Sequence, residues 1–309
     1  MRLLITGGAG CLGSNLIERY YPEGHEICII DNFTTGKREV VPSQKRLTVF
    51  EGSITDATLV EEVFSKFKPS HVIHSAAAYK DPDDWREDVS VNVQGTINVA
   101  KSAQSLGVKR LVNFQTALCY GRPVQLPIPI THPTAPFTSY GISKTAGEAY
   151  LMQSGLPVVS LRLANICGPR LAIGPIPTFY KRLKAQQSCF CSDAIRDFLD
   201  IRDFFSLMDK VLEIDISPEV FNVSTGEGHS IKDVFQAVSE YLGIQLPDVP
   251  VVPVGDDDVS QVVLDPSETE HVFNWKAQIS FIETIHNQLR WYDQYGVSDI
   301  YSHLANSTE

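Results

Sequence analysis

The feature that most constrains this chain lies at its start. Thr6-Gly7-Gly8-Ala9-Gly10-Cys11-Leu12-Gly13 sits between an apolar run over 3–6 and a segment of helical period over 12–20. Glycines at 7, 10 and 13 make a turn too tight for side chains. They let a pyrophosphate approach the backbone with no Cβ in the way, and let the following helix pack closely on the strand. The start of that helix offers an anion unpaired N–H groups and the positive end of its dipole. A bare glycine pattern is compatible with an ordinary turn. Its place between a first strand and a first helix points to a dinucleotide site.

Further apolar, β-rich runs at 26–30, 48–51, 71–74, 111–115 and 158–163 alternate with helical-period segments, the rhythm of βαβ units. Right-handed crossovers between parallel strands leave helices on both faces, so the expected fold is α/β, a doubly wound parallel (Rossmann) sheet. From Cys167 the pattern loosens at Gly168-Pro169, Gly174-Pro175 and Ile176-Pro177, which predicts a smaller, discontinuous C-terminal substrate-binding lobe. Residues 220–223 read as a strand returning to the sheet, and 231–242 as a helix capped by Ser230. The expected domains are 1–166 with a return segment at about 200–224, and a lobe made of 167–199 and 225–309.

Lys and Arg number 26 against 37 Asp and Glu, a net charge of −11. That balance argues against nucleic-acid binding through a broad basic face and against docking on anionic lipid. The first apolar run ends in glycine after three residues, so no secretion signal is expected. The longest uncharged stretch, 123–143, holds five prolines and reads as no membrane span. The six cysteines, at 11, 28, 119, 167, 189 and 191, form no CxxC pair and have no histidine at ligand spacing. Reduced thiols in a cytoplasm, without metal or disulfide, are the expectation. The acidic triplet at 256–258 reads as a solvated turn.

Asp31-Asn32 follows the second strand, 18 residues beyond Gly13. A carboxylate there accepts both ribose hydroxyls of an adenosine and repels a 2′-phosphate, so NAD is expected over NADP. A solvated turn aspartate is the alternative reading, and Lys37 and Arg38 keep NADP open. Two Tyr-x-x-x-Lys pairs occur, Tyr140/Lys144 and Tyr180/Lys184. On a helix this spacing puts phenol and ammonium on one face, where the cation lowers the phenol pKa and leaves a base near neutrality. The second pair lies in 179–184, which reads as a basic exposed helix. Tyr140 opens the helical segment 141–152 after a proline-rich loop and follows Thr116, the hydroxyl that ends the fifth strand.

These stretches, with His74-Ser75-Ala76-Ala77, Asn92-Val93-Gln94-Gly95-Thr96, Gln115-Thr116-Ala117-Leu118-Cys119-Tyr120-Gly121, Arg162-Leu163-Ala164-Asn165 and Arg196-Asp197-Phe198, cover nearly the whole chain. In them the sequence resembles extended short-chain dehydrogenases/reductases of the NAD-dependent epimerase/dehydratase group, and most of all nucleotide-sugar epimerases of bacterial O-antigen clusters. The resemblance implies NAD held by Gly7, Gly10, Cys11, Leu12, Gly13, Asp31, Asn32, Ser53, Ile54, Ala76, Ala77 and Lys80. It further implies that Tyr140 is the general acid/base, that Lys144 holds the nicotinamide ribose, and that Thr116 replaces the usual serine. Asn165 and Arg196 would hold the substrate diphosphate. Cys189 and Cys191, on a stretch read as a strand over 188–191, lie where relatives bind the nucleotide base; two core thiols are the other reading. A homodimer through two helices of the dinucleotide-binding domain is implied as well.

Two departures stand out against the resemblance: Ser53 replaces an aspartate, and no arginine precedes Gly255-Asp256. Dehydratases of the group carry an Asp-Glu pair where this chain has Ala117-Leu118, and decarboxylating members carry Glu at the position of Leu118. The expected activity is therefore 4-epimerisation of a UDP-sugar or UDP-uronic acid through a 4-keto intermediate. A dehydratase or decarboxylase, a net oxidoreductase and a non-enzymatic NAD-binding protein are the alternatives.

Overall fold

The computed structural model describes residues 1–79, 81–245, 249–256 and 258–300. Runs that are apolar on both faces need cover on both faces, and they become interior strands. β1 (Arg2–Thr6), β2 (Glu26–Asp31), β3 (Leu47–Glu51), β4 (His71–His74), β5 (Arg110–Thr116), β6 (Val158–Leu163) and the later strand Glu219–Val223 form one seven-stranded sheet. From one edge the order is Glu219–Val223, β6, β5, β4, β1, β2, β3. β1 pairs in parallel with both β2 and β4, β2 with β3, and β4 with β5. The chain thus builds outward from β1 to β3, then returns to lay β4 on the other side of β1. The order reverses there and opens a crevice at the carboxyl ends of β1 and β4, where doubly wound sheets take their ligands.

The helices of this part are α1 (Cys11–Tyr20), α2 (Ala57–Phe67), α3 (Trp85–Asp88), α4 (Thr96–Leu106) and α5 (Ser139–Met152), with a π-helical stretch, Val89–Gly95, joining α3 to α4. The Asp56 side chain caps α2 by accepting from the Leu59 amide. Val60, Val63 and Phe64 of α2 and Val99 and Ala103 of α4 bury their apolar stripes against Leu4, Cys28, Val72 and Leu111 of the sheet.

The chain divides into two compact units: Met1–Cys119, Pro136–Arg162 and Leu207–Phe221 in one; Tyr120–Ala135, Leu163–Ser206 and the chain from Asn222 in the other. The proline-rich segment therefore belongs with the second unit rather than with the residues around it in sequence. Backbone bonds explain this: the Ile128 amide donates to the Val263 carbonyl at 2.7 Å, and the Asp265 amide to the Ile128 carbonyl at 2.9 Å.

In the second unit Ile195–Arg196 lies between His229–Ser230 and Gln261–Val262. Ser230 opens the helix Ile231–Tyr241 with a reciprocal capping box to Asp233. That helix packs with Pro175–Lys184 and Phe281–Tyr295 around Phe179, Phe235, Ile285, Leu289 and Tyr292. Two sequence readings change here. The stretch read as a strand over 188–191 is strand only at Cys191–Ser192, paired with Val251–Val252. Cys191 is fully buried in this core and Cys189 packs against it, so both thiols serve as small hydrophobes. The helix Pro175–Lys184 is not simply exposed either: Tyr180 is buried and donates its hydroxyl to Asp293 at 2.6 Å, and Lys184 reaches the same hydroxyl at 3.0 Å. The second Tyr/Lys pair is thus a tie between helices. Among the described residues no helix is long and apolar enough to cross a membrane.

Candidate active site

The glycine turn sits at the crevice between β1 and β4, and its glycines have unequal reasons. Gly7 has φ +68°, and a Cβ there would fall 2.8 Å from the Ala76 backbone. A Cβ on Gly13 would fall 2.3 Å from the Gly7 carbonyl oxygen and 2.7 Å from Gly8 Cα. Gly10 caps α1 without a side-chain hydrogen bond, so the helix start and the positive end of its dipole lie open to a pyrophosphate with no side-chain oxygen already placed there. Cys11 and Leu12 follow as the first two residues of α1.

Asp31, buried at the end of β2, ties this turn to its surroundings. Its Oδ2 accepts from the Ala9 amide and its Oδ1 from the Phe33 amide, both at 2.8 Å. Each oxygen retains a lone pair for a ribose hydroxyl. Asn32 accepts from the Thr34 amide in an Asx turn. Arg38 stacks on Phe33 and pairs with Glu51, so its charge is matched within the chain, which favours NAD over a 2′-phosphorylated dinucleotide. Ser53 accepts from both the amide and the hydroxyl of Thr55, while Ile54 is buried. Lys80 lies outside the described residues. The donor set therefore fits a dinucleotide: a cradle that two Cβ atoms would fill, a helix start without a side-chain cap, and a carboxylate at the second strand.

Beside the turn, a buried relay fixes the end of β4. The Ala76 amide donates to Thr6 Oγ1, which lies 2.8 Å from His74 Nδ1; His74 Nε2 lies 2.9 Å from Thr96 Oγ1, which donates to the Asn92 carbonyl. Each hydroxyl has one proton, so His74 accepts at Nδ1 and donates at Nε2. Burial, with Lys144 nearby, pulls its pKa down to about 3, so His74 is a neutral structural residue and no acid or base.

The reactive side chains come from β5 and α5. Thr116 ends β5; its Oγ1 accepts from the Leu118 amide at 3.2 Å, leaving the hydroxyl proton to donate. Thr138 caps α5, which begins at Ser139, so Tyr140 and Lys144 stand one turn apart on its first turns. Lys144 is buried and donates from Nζ to the Phe114 carbonyl at 2.6 Å. Burial lowers its pKa to about 8, with Glu148 opposing the shift. The unfolded chain holds that proton to 10.5, so the charged lysine costs stability of the order of 3 kcal/mol below pH 8, a cost relieved as pH rises between the two values.

Tyr140 departs from its expectation. Burial first, then Tyr79 and Asp88, push its phenol up, so the chain's own charges keep it protonated. The rings of Tyr79 and Tyr140 lie 6.1 Å apart, centroid to centroid.

Sequence reasoning missed the residues that hold this group together. Gln115, buried beside Thr116, accepts from the Thr116 amide at 2.8 Å and donates to the Lys144 carbonyl at 2.9 Å, so one side chain spans β5 and α5. Asn92, in the π-helical stretch, bonds both backbone groups of Ala78 and donates to Ser143 Oγ. Gly147 permits that approach, since a Cβ there would fall 2.4 Å from the Asn92 carbonyl oxygen. A glycine in mid-helix was the available signal.

The expected substrate residues lie in the second unit. Asn165 donates its side-chain amide to the Asp197 carbonyl at 2.9 Å. Arg196 pairs with Asp258 at 2.7 Å, both largely buried, so the acidic triplet is no solvated turn at that residue. Asp197 is fully buried, gripping the amides of Thr225 and Gly226, and burial pushes its pKa up to about 6.

The sequence profile of the NAD dependent epimerase/dehydratase family matches residues 3–224. This chain belongs to that family. It is 30% identical to the UDP-glucose 4-epimerase of Corynebacterium glutamicum, over 92% of this chain and 93% of that one. Its fold is similar to the Bordetella bronchiseptica enzyme WbmG, crystallised with NAD and UDP, at a TM-score of 0.95 and 69% identity over 99% of each chain. WbmH of the same organism, crystallised with NAD+, gives a TM-score of 0.90 and 38% identity over 96% of this chain and 99% of that one.

Proposed function

We propose that this family member is an NAD-dependent epimerase that inverts carbon 4 of a UDP-linked sugar. One observation carries the reading: Thr116, Tyr140 and Lys144 share one unit with a glycine turn shaped for a pyrophosphate, while the neighbours Ala117 and Leu118 bring no acid or base. The UDP-glucose 4-epimerase relative and the UDP complex of WbmG support the nucleotide.

When bound, oxidised NAD supplies a reversible hydride acceptor and a positive charge that favours the Tyr140 phenolate. Tyr140 takes the proton of the sugar 4-hydroxyl and later returns it. Thr116 donates to the 4-oxygen as it gains carbonyl character. Lys144 would hold the nicotinamide ribose through its ammonium group. The resemblance assigns the substrate diphosphate to Asn165 and Arg196, and inversion requires the 4-keto sugar to turn its other face before the hydrogen returns. Loss of water or carbon dioxide would require a further acid or base, which Ala117 and Leu118 do not provide. Inversion requires none beyond the phenol.

A panel of UDP-, dTDP-, CDP- and GDP-sugars, followed by NMR and by NADH absorbance, tests the assignment. Inversion at carbon 4 of a UDP-sugar without net NADH is expected. Stoichiometric NADH, or a product that has lost water or carbon dioxide, would refute it.

Lys144 sets the pH response. Turnover should fall as pH rises through about 8, where the ammonium loses its proton. A pH–rate profile that stays level well above that value would show that the charge is not needed.

We also infer a homodimer. Trp85, Val89, Ile142 and Tyr150, on α3, the π-helical stretch and α5, are large apolar side chains exposed on the first unit. A second copy presenting the same face would cover them. Sedimentation should give twice the chain mass; a monomer at working concentration would contradict this.

A further inference from the structure

The reacting groups of this site come from two elements, Thr116 from β5 and Tyr140 and Lys144 from α5, all within the first compact unit. Hydride and proton transfer tolerate little misplacement: a shift of about 1 Å can cost about a hundredfold in rate. Whatever fixes the end of β5 against α5 therefore bears on turnover.

Three consecutive residues of β5 make that connection. The Phe114 carbonyl accepts from Lys144 Nζ at 2.6 Å. Gln115 Nε2 donates to the Lys144 carbonyl at 2.9 Å, and Gln115 Oε1 accepts from the Thr116 amide at 2.8 Å. Lys144 is thus held to the strand at both ends, by its ammonium group and by its backbone. The backbone hold runs through the same side chain that fixes Thr116.

The demands on position 115 are narrow. A carbonyl needs a donor and an amide N–H needs an acceptor, so the side chain must offer one of each; a carboxylate lacks the donor and a thioether lacks both strong groups. Gln115 is 2% exposed, so water does not replace either bond. The Lys144 carbonyl lies inside α5 and also faces the N–H four residues on, so Gln115 takes its second lone pair and leaves the helix intact. Asn113 supplies the contrast. Two residues earlier on the same face of β5 and equally buried, it donates to Ser160 Oγ at 2.9 Å, a tie to β6 that does not run through Thr116 or Lys144.

We propose that Gln115 is a positioning residue for the inversion, setting the Thr116 hydroxyl, which meets the sugar 4-oxygen, against Lys144, which would hold the nicotinamide ribose. It acts on the chemical step rather than on binding. The assignment rests on the epimerase reading given above.

Steady-state kinetics on the full-length, NAD-loaded protein test it, with the UDP-sugar of the panel above that the wild type inverts. Gln115→Met, close in volume and without either bond, should lower kcat by about tenfold to a hundredfold, with KM and NAD content per chain little changed. Gln115→Asn keeps a donor and an acceptor on a shorter stem and should recover part of the loss; it carries the test if the methionine variant does not fold. Asn113→Ala should lower the melting temperature and leave kcat near that of the wild type. Normal kcat in Gln115→Met would overturn the proposal. So would an equal fall of kcat in Asn113→Ala, which marks a general loosening of β5, or a loss confined to KM or to NAD content. A wild type that inverts none of the UDP-sugars would instead remove the epimerase reading and this proposal with it.

Discussion

Tyr140→Phe should lower turnover about a thousandfold, within the range for removal of a general acid/base, and leave NAD bound. The substitution keeps the ring and its contact with Tyr79 and deletes one hydroxyl, so packing changes little. The glycine turn and Asp31 are untouched, and they carry the dinucleotide in this account. Cofactor content per chain and kcat, measured on the same preparation, separate chemistry from binding. Near-normal turnover in the variant would remove Tyr140 from its role.

Gly13→Ala should have the opposite signature, losing the cofactor first. The new Cβ would meet the Gly7 carbonyl oxygen at 2.3 Å and Gly8 Cα at 2.7 Å, both backbone atoms of the turn itself. Relief requires the turn to open, which spoils the approach of a pyrophosphate to the helix start. The overpacking itself costs about 1–3 kcal/mol, so the chain should still fold. Gly10→Ala is the internal control, because its Cβ would lie 3.3 Å from the Gly7 oxygen, a contact the turn can absorb with a small shift. Gel filtration followed by release of bound dinucleotide should find NAD nearly absent from the Gly13 variant and largely retained in the Gly10 variant. Equal retention in both would contradict the assigned roles of the two glycines.

Much of the fold was legible because the chemistry of its strands is local. Runs such as Ile27 to Ile30 are apolar at every position, rich in β-branched residues and too short for a helix, which suits a strand covered on both faces. Ser230 announced its helix, and the capping box with Asp233 is present. The segment 188–191 misled because its alternation is that of a loop whose last residue alone, Cys191, begins a two-residue strand, with Cys189 packed on the core from the loop before it. Tyr180 misled because the neighbouring Lys181 and Arg182 lie off the face that packs against Tyr292, while Lys184, one turn on, joins Tyr180 at Asp293.

In the active site the reactive types were readable and their supports were not. Tyr140, Lys144 and Thr116 stand out because few chemistries need them together. Gln115 looked like one more strand residue, yet its amide joins β5 to α5, a relation between segments 29 residues apart. The same holds for Arg196 with Asp258, 62 residues on, where an acidic run read as solvent-facing supplies a buried counter-ion. Long-range pairing of polar groups leaves no periodicity in sequence. The direction of the Tyr140 shift was equally hidden, since it depends on burial and on Asp88 from another helix rather than on the lysine one turn away.

The most direct test of the central claim is the fate of the hydrogen on carbon 4 of the sugar. With a UDP-sugar deuterated at that carbon and turned over in ordinary water, the account predicts a 4-epimer that keeps its deuterium there, because hydride leaves and returns without meeting solvent. An epimer carrying solvent hydrogen at carbon 4 would contradict it.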